Sequence, residues 1–411
     1  MLCRLASAIF PVVNTRKRAY QYRFYPTPEQ EVLLAQTFGC VRKVYNLILE
    51  WRSLAYQERQ EKIHDLKASA RLTEIKRLPE FAYLNEVSSV PLQQCLRHQQ
   101  SAFTNFFEGR AKYPTFKKKH GRQSAELTQR AFSDREGKLY MAKRQDPLDV
   151  RWSRELPSAP STLTLTKDSA GRYFVSCLCE FTPKVLSVTP NTLGIDLGLK
   201  DLFVTDGGDK TGNPRHTAKY AAQLARYQRR LARKAFGSKN RAKAKRKVAR
   251  IHARISDGRM DNLHKLSRRL INDNKVVCVE SLKVKNLIRN PQLSKHIADA
   301  GWGHFVRMLE YKADWAGRIV VAIDTFFPSS KRCSCCGYIN DALTLNDREW
   351  TCPSCSTLLD RDINAASNIK AAGLAVLAFG ENVSLVSPNG MGSSLYELGI
   401  LFLQGEEQSK I

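Results

Sequence analysis

Four cysteines in two closely spaced pairs constrain this chain more than any other feature. Cys333 and Cys336 form one C-x-x-C pair, and Cys352 and Cys355 form a second pair at the separation typical of a zinc ribbon. The segment then continues directly into Leu-Asp-Arg-Asp, which contains Asp362 and opens a stretch with the apolar spacing of a helix. Because the predicted metal site is joined directly to Asp362, we expect the cysteines to fix the position of this carboxylate.

The other cysteines do not indicate a disulfide framework, although the chain has 11 in all. The first residues lack a small-residue cleavage site and are not a convincing secretory signal. No other stretch stays apolar over the roughly 18 residues that a membrane span needs. We therefore expect a reduced, cytoplasmic chain with a metal site and no membrane partner. Cys335 lies inside the first pair, but C-x-x-C spacing favours Cys333 and Cys336 as ligands.

The net charge predicts a polyanionic partner. Lys and Arg total 66 against 39 for Asp and Glu, which gives a formal charge of +27. Each phosphate that Lys or Arg neutralises releases condensed counterions, so such a surplus favours nucleic-acid binding. The alternative, a basic surface without a partner, is disfavoured because the cations are clustered. The cations expected to contact nucleic acid are Lys117, Lys118, Lys119, Arg122, Arg229, Arg230, Arg233, Lys243, Lys245, Arg246, Lys247 and Arg250.

The N-terminal half is predicted to contain strands interrupted by helices. Alternating aromatic and polar residues from Arg18 predict a strand, and the segment 27–30, TPEQ, predicts a capped helix start. Residues 28–110 then form a helical module. Short alternating runs between 125 and 190, with a turn at 168–171, predict hairpin-connected strands. Together with the first strand they indicate a β-barrel into which the helical module is inserted.

Three carboxylates stand out in the C-terminal half. Asp196 lies within an apolar strand, Glu280 ends the strand KVVCVE, and Asp362 opens the last predicted helix. A charge in a buried strand is costly unless it is paired or bound to a metal. These residues therefore indicate a functional site. The alternative is that Asp196 is a structural residue whose carboxylate is paired within the fold.

The order Asp, Glu, Asp, on two strands of a mixed sheet and one helix start, is the arrangement of an RNase H-like nuclease. Phosphodiester hydrolysis in such a site uses two Mg²⁺ ions about 4 Å apart. Mg²⁺ prefers oxygen ligands and keeps several waters, so a few carboxylates can hold the pair. We thus predict two catalytic Mg²⁺ ions at these carboxylates. The four cysteines are predicted to hold one structural Zn²⁺ with no open position for catalysis.

Several signatures resemble those of the TnpB (OrfB) family, which are transposon-encoded RNA-guided DNA endonucleases related to the type V CRISPR effectors. They are LGIDLGLKDL, VVCVESLKVKNL, GWGHFVRMLEYKA, FFPSSKRCSCCG and WTCPSC followed by LDRDINAASNI. RAYQYRFYPTPEQEVLLAQTFGCVRKVYN and YPTFKKKHGRQS resemble the N-terminal signatures, so the likeness covers about 18–380. It implies a multidomain α+β fold. A split, wedge-like β-barrel with an inserted helical recognition module precedes an RNase H-like (RuvC) α/β nuclease domain with an inserted zinc ribbon.

The predicted organisation has six parts. They are a leader at 1–17, expected to be disordered; the barrel at 18–27 and 111–190; the helical module at 28–110; the nuclease domain at 191–329 and 357–375; the zinc ribbon at 330–356; and a tail at 376–411, expected to be mostly disordered.

The resemblance also implies roles for single residues. Asp196, Glu280 and Asp362 match the catalytic, magnesium-binding carboxylates, and Asp360 in the same DRD motif is expected to support the third. The four paired cysteines match the zinc ligands. Contacts with a short target-adjacent DNA motif are placed on the helical module and barrel, and the corresponding positions are Gln93, Thr128 and Gln129.

The implied partners are a guide RNA from the transposon end, a double-stranded DNA target and a separate transposase encoded by the same element. The implied activity is Mg²⁺-dependent DNA cleavage beside the target-adjacent motif, associated with transposition or transposon maintenance. Because the guide pairs with the target, pairing carries most of the sequence specificity.

Three alternatives compete with this interpretation. A cut-and-paste transposase also uses three carboxylates, but usually in the order Asp, Asp, Glu, whereas here the Glu is in the middle. A non-catalytic RNA-guided DNA-binding protein would not need all three carboxylates. A zinc-ribbon nucleic-acid module with an incidental acidic fold leaves the order of the carboxylates unexplained.

Overall fold

The computed structural model describes residues 15–119, 121–344 and 346–379. It divides into two units, one formed by 1–182 with 235–250 and the other by 183–234 with 251–411. Most of the predicted leader and tail lies outside the described residues, at 1–14 and 380–411.

The first unit begins with a strand and three α-helices and continues as strands. Its elements are β1 (Arg16–Tyr25), α1 (Pro28–Arg59), α2 (Asp65–Arg77), a 3-10 helix (Pro79–Asn85), α3 (Ser89–Phe107), β2 (Gln123–Thr128), β3 (Phe132–Arg135), β4 (Lys138–Met141), β5 (Asp149–Arg151), β6 (Thr162–Lys167) and β7 (Tyr173–Phe181). The boundary of the predicted leader is wrong by two residues. Arg16 and Lys17 pair with β7 in the sheet, and these backbone hydrogen bonds start the strand earlier.

The main sheet of the first unit is antiparallel, in the order β2-β6-β7-β1-β5. Lys167 pairs with Tyr173, which confirms the predicted hairpin turn. In that turn Asp168 Oδ1 accepts the Arg172 N–H at 2.8 Å, and Gly171 adopts a φ of 82°. The pairings of the described strands leave β2 and β5 at the edges of this sheet, so the split barrel stays a prediction.

Helix α1 begins where the sequence predicts. Thr27 Oγ1 accepts the Gln30 N–H at 3.3 Å, and Gln30 Oε1 accepts the Thr27 N–H at 3.2 Å, which forms the predicted capping box. α1 is long and apolar enough to cross a membrane by length and composition alone. Half of its most apolar window is buried inside this unit, as in a core helix.

The second unit is a mixed sheet with helices, joined to a small ribbon. Its elements are β8 (Thr192–Leu197), β9 (Phe203–Thr205), α4 (His216–Lys219), α5 (Ala221–Ala232), α6 (Lys239–Asp273, of which 239–250 group with the first unit), β10 (Val276–Glu280), α7 (Val284–Leu287), α8 (Ser294–Ala300), α9 (Trp302–Ala316), β11 (Ile319–Ile323), β12 (Glu349–Thr351), β13 (Leu358–Asp360) and α10 (Arg361–Phe379). Helix α10 continues four residues into the segment predicted as tail.

The sheet of the second unit has the order β11-β10-β8-β9, with β10 parallel to both β11 and β8, and β9 antiparallel to β8. Its two faces are covered by different elements. Ile195, Val277 and Val279 belong to a core shared with α9, whereas Val276 and Cys278 belong to a second core shared with α10. Because side chains alternate along a strand, this division assigns every strand residue to one of the two faces.

Helix α10 approaches the sheet closely because two glycines leave room for it. A Cβ added at Gly194 would lie 2.7 Å from Lys370 Cβ and would overlap the Ala366 carbonyl oxygen. A Cβ added at Gly373 would lie 2.8 Å from Cys278 Cβ. Backbone therefore contacts backbone or a small side chain at both ends of the contact between α10 and the strands.

This contact predicts a sharp difference between two glycine substitutions. Gly194→Ala should lower the thermal unfolding midpoint, because overpacking costs roughly 1–3 kcal/mol and a backbone neighbour cannot move aside easily. Gly303→Ala is the matched control, since its Cβ would meet open space in α9. We expect no loss of stability for the control. An unchanged midpoint for Gly194→Ala would contradict the close contact.

Candidate active site

The strand register brings two of the predicted carboxylates together. Gly194 pairs with Cys278 across β8 and β10, and Asp196 and Glu280 each lie two residues further along. Residues two apart on a strand share a face, so both carboxylates project toward α10 at the carboxyl ends of parallel strands. Asp362 lies in the first turn of α10. The sheet and the helix therefore present three carboxylates to one place.

The charges of Glu280 and Asp362 both act on Asp196. The pKa of Asp196 is raised to about 8, first by burial and then by the negative charges of Glu280 and Asp362. Arg361 and the backbone N–H of Leu197 act in the opposite direction. Burial and like charges both disfavour the ionised form, so this cluster favours a bound proton or a bound cation.

Two other side chains interact with these carboxylates. Ser329 Oγ donates to Glu280 Oε1 at 2.6 Å, and Arg348 Nη1 lies 3.8 Å from Asp362 Oδ1. Sequence reasoning missed both residues. Ser329 lies in the quoted motif FFPSSKRCSCCG, which is a signal that could have drawn attention to it, whereas Arg348 lies between the cysteine pairs without a distinguishing pattern.

Asp360 supports the site from outside. Its Oδ1 accepts the N–H groups of Asp362 and Ile363 at 3.0 and 3.1 Å, and its Oδ2 accepts Lys210 Nζ at 2.7 Å. Burial alone would raise its pKa, but Lys210 and the helix N–H groups outweigh burial and lower it. Asp360 thus stays ionised and caps α10, as expected for a residue that positions Asp362.

The four predicted cysteines converge. Their sulfur atoms all lie within 4.8 Å of one another, with Cys333 Sγ 3.7 Å from Cys355 Sγ and Cys336 Sγ 3.6 Å from Cys352 Sγ. A tetrahedral zinc with Zn–S bonds of about 2.3 Å would place its sulfurs about 3.8 Å apart. The cluster therefore suits a structural zinc. Cys335 is exposed and is not one of the converging cysteines.

The cysteine cluster is attached to the helix that carries Asp362. Asn364 Nδ2 donates to the Arg332 carbonyl at 2.7 Å, and Asn364 Oδ1 accepts the Ser334 N–H at 2.8 Å. These two bonds flank Cys333, and Asn364 is only 2% exposed. The first zinc ligand is therefore fixed to the first turns of α10.

The predicted nucleic-acid contacts divide into two groups. Eleven of the twelve cations are exposed: Lys118, Lys119, Arg122, Arg229, Arg230, Arg233, Lys243, Lys245, Arg246, Lys247 and Arg250. Lys117 is half-buried with its Nζ 4.1 Å from the Tyr45 ring centroid, and burial lowers its pKa. The Lys117 side chain therefore contacts the interior of its own unit.

The three predicted target-motif residues lie on two neighbouring elements. Gln93 is exposed on α3, Thr128 ends β2 half-buried, and Gln129 follows it exposed. His98 on α3 and Glu126 on β2 lie 3.0 Å apart, which joins the two elements. Their contact with DNA stays a prediction.

Three family models match the chain. The model described as "Helix-turn-helix domain" matches residues 14–61, and the OrfB model described as "Probable transposase" matches 177–291. The model described as "Cas12f1-like, TNB domain" matches 302–369, which includes the four cysteines and Asp362.

Full-length relatives and a solved structure agree with these models. A Streptomyces pristinaespiralis protein named "Putative RNA-guided DNA endonuclease" is 52% identical over 89% of this chain and 92% of its own. An Escherichia coli K12 protein named "Putative RNA-guided DNA endonuclease InsQ" is 30% identical over 91% and 96%. The "Cryo-EM structure of the Cas12f1-sgRNA-target DNA complex" aligns with a TM-score of 0.54 over 87% of this chain and 99% of that one. At 13% identity this last match concerns the fold. With relatives this similar over nearly their whole length, the chain belongs to the TnpB (OrfB) family.

Proposed function

We propose that this protein is a transposon-encoded, RNA-guided DNA endonuclease that cuts DNA beside a short target-adjacent motif. The proposal is supported by the placement of Asp196 and Glu280 at the ends of neighbouring parallel strands, with Asp362 in the first turn of α10 and its charge acting on Asp196. Its biological role would be in transposition or transposon maintenance, in the cytoplasm. The names of its relatives, which describe RNA-guided DNA endonucleases, support the same activity.

The chemistry of these three side chains suits Mg²⁺, and we propose that two ions bind there. Asp196, Glu280 and Asp362 would hold them, because they offer hard oxygen ligands whose mutual repulsion a divalent cation relieves. Asp360 is less suited, since both of its oxygens accept hydrogen bonds. When bound, the ions would activate a water and stabilise the charge that develops on the phosphate in phosphodiester hydrolysis. The protein's part is to hold the three carboxylates on rigid elements.

The partners follow from charge and from the relatives. A net charge of +27 and a large set of exposed cations suit phosphate backbones, which carry no sequence information. A guide RNA from the transposon end would bind these surfaces and pair with the target strand of double-stranded DNA. Gln93, Thr128 and Gln129 would read the target-adjacent motif. A transposase encoded by the same element would be a separate partner.

Removing any of the three carboxylates should abolish cleavage. Asp196→Ala, Glu280→Ala and Asp362→Ala each remove a ligand of ions that supply several kcal/mol of transition-state stabilisation, so we expect losses of about a thousandfold or more. Plasmid cleavage with the cognate RNA and Mg²⁺ measures this. Asp341→Ala is the control, because that side chain is 89% exposed. Parental cleavage by any one of the three variants would remove that residue from the site.

The raised pKa of Asp196 predicts a pH-dependent stability in magnesium-free buffer. Its folded pKa of about 8 exceeds the unfolded value of about 3.9, so the folded state binds the extra proton between these pH values. The free energy of unfolding should therefore fall as pH rises from about 4 to about 8. Asp196→Asn removes this contribution to the pH dependence, because asparagine does not titrate.

Thermal scans at pH 5 and pH 8 test this dependence. The unfolding midpoint of Asp196→Asn, relative to that of the parent, should be higher at pH 8 than at pH 5. The buffers must be free of magnesium without a chelator, because a chelator would also remove zinc. The same difference at both pH values would contradict the raised pKa.

The cysteine cluster predicts a selective loss of zinc. Cys336→Ser should reduce the bound zinc, lower the unfolding midpoint and reduce cleavage, because a structural site requires all four ligands. Cys335→Ser is the matched control one position away and should keep its zinc. Elemental analysis of the purified proteins measures the zinc per chain. Zinc loss from the control but not from Cys336→Ser would assign the first knuckle to Cys335.

A further inference from the structure

Ser329 contacts Glu280, and the roles given above to the carboxylates, cysteines and cations do not explain this contact. It is 6% exposed, and its hydroxyl donates to Glu280 Oε1 at 2.6 Å. A hydroxyl that donates to a carboxylate over this distance forms a short, charge-assisted hydrogen bond, which is stronger than a neutral one. The bond fixes one oxygen of Glu280 and leaves the other lone pairs of the carboxylate for a cation.

The local chain path explains why Ser329 reaches Glu280. Ile323, the last residue of β11, pairs with Glu280 in parallel register, so the chain leaves the sheet beside this carboxylate. A turn follows in which the Ser329 N–H donates to the Phe327 carbonyl at 2.8 Å. The turn brings Ser329 back over the end of β10 before the chain enters the cysteine cluster.

Helix α10 holds this turn in place. Asn368, which is 4% exposed, donates from Nδ2 to the Ser329 carbonyl at 2.8 Å and to the Arg332 carbonyl at 2.6 Å. The same helix carries Asp362. The position of Ser329 is therefore set by the element that supplies another carboxylate of the site.

Glu280 needs such a restraint more than the two aspartates do. A glutamate side chain has one more rotatable bond than an aspartate, and fixing it costs conformational entropy. Residues that orient a metal ligand by hydrogen bonding typically change metal affinity or activity 10- to 100-fold when they are replaced.

We propose that Ser329, held by Asn368, is a positioning residue that orients Glu280 for divalent-cation binding. This inference rests on the proposed function, because it assigns the cation to the same carboxylates. It adds a residue to the site and links the segment before the cysteine cluster to the geometry of the carboxylates.

Metal binding by the zinc-loaded protein tests the inference without relying on cleavage. Calorimetric titration with Mn²⁺ should give a Kd about tenfold higher for Ser329→Ala than for the parent. Ser330→Ala is the matched control, since it removes the neighbouring hydroxyl of the same motif, and its Kd should equal that of the parent. The Mg²⁺ concentration that half-saturates plasmid cleavage should rise for Ser329→Ala by a similar factor.

A second pair of variants keeps the test decisive if Ser329→Ala unfolds. Ser329→Thr and Ser329→Val have nearly the same shape, but only threonine keeps the hydroxyl, so the threonine variant should bind Mn²⁺ more tightly. The proposal is overturned if Ser329→Ala binds Mn²⁺ as tightly as the parent does. It is also overturned if Ser329→Val binds Mn²⁺ as tightly as Ser329→Thr does. A parent that binds Mn²⁺ at this site but does not cut DNA would instead contradict the proposed function.

Discussion

The contact between α10 and the strands β8 and β10 is the constraint on which the rest of the second unit depends. An aspartate side chain is short, so three carboxylates can share a site only where the backbones that carry them lie close together. Gly194 and Gly373 provide that proximity because neither contributes a side chain at the points where helix and sheet come closest. Asp206 reinforces it, since one of its oxygens accepts the Gly194 N–H at 2.9 Å and the other accepts Lys370 Nζ at 2.7 Å.

Helix α10 also joins two sites with opposite metal preferences. The cysteine cluster offers four soft sulfur ligands, which suit zinc, whereas carboxylates offer hard oxygen ligands, which suit the proposed magnesium ions. Asn364 and Asn368 connect them, because both are buried and both donate to carbonyls of the segment that enters the first cysteine pair. A zinc ion held by the cysteines would thereby stabilise the geometry of the carboxylates at the other end.

The sequence could predict the carboxylates, the cysteines and the start of α1 because each is marked by a pattern within a short stretch of the chain. Asp196 interrupts an apolar strand, the cysteine spacing is that of a metal knuckle, and the capping box at Thr27 is a short-range motif. The contacts that hold the site are of another kind. Ser329 and Glu280 are 49 positions apart, and Lys370 and Asp206 are 164 apart. Periodicity carries no information about such pairs. Lys117 was likewise indistinguishable from its exposed neighbours until its contact with Tyr45 was seen.

The raised pKa of Asp196 favours its uncharged form and so reduces the repulsion among the three carboxylates when no cation is bound. Three ionised carboxylates in a half-buried place would repel one another. At Asp196 the opposing effect of Arg361 does not offset burial and this repulsion, so the pKa stays raised. A proton bound to Asp196 removes one of the three negative charges. In the proposed magnesium site a divalent cation would compete with that proton, so affinity for the cation should increase with pH until Asp196 ionises on its own.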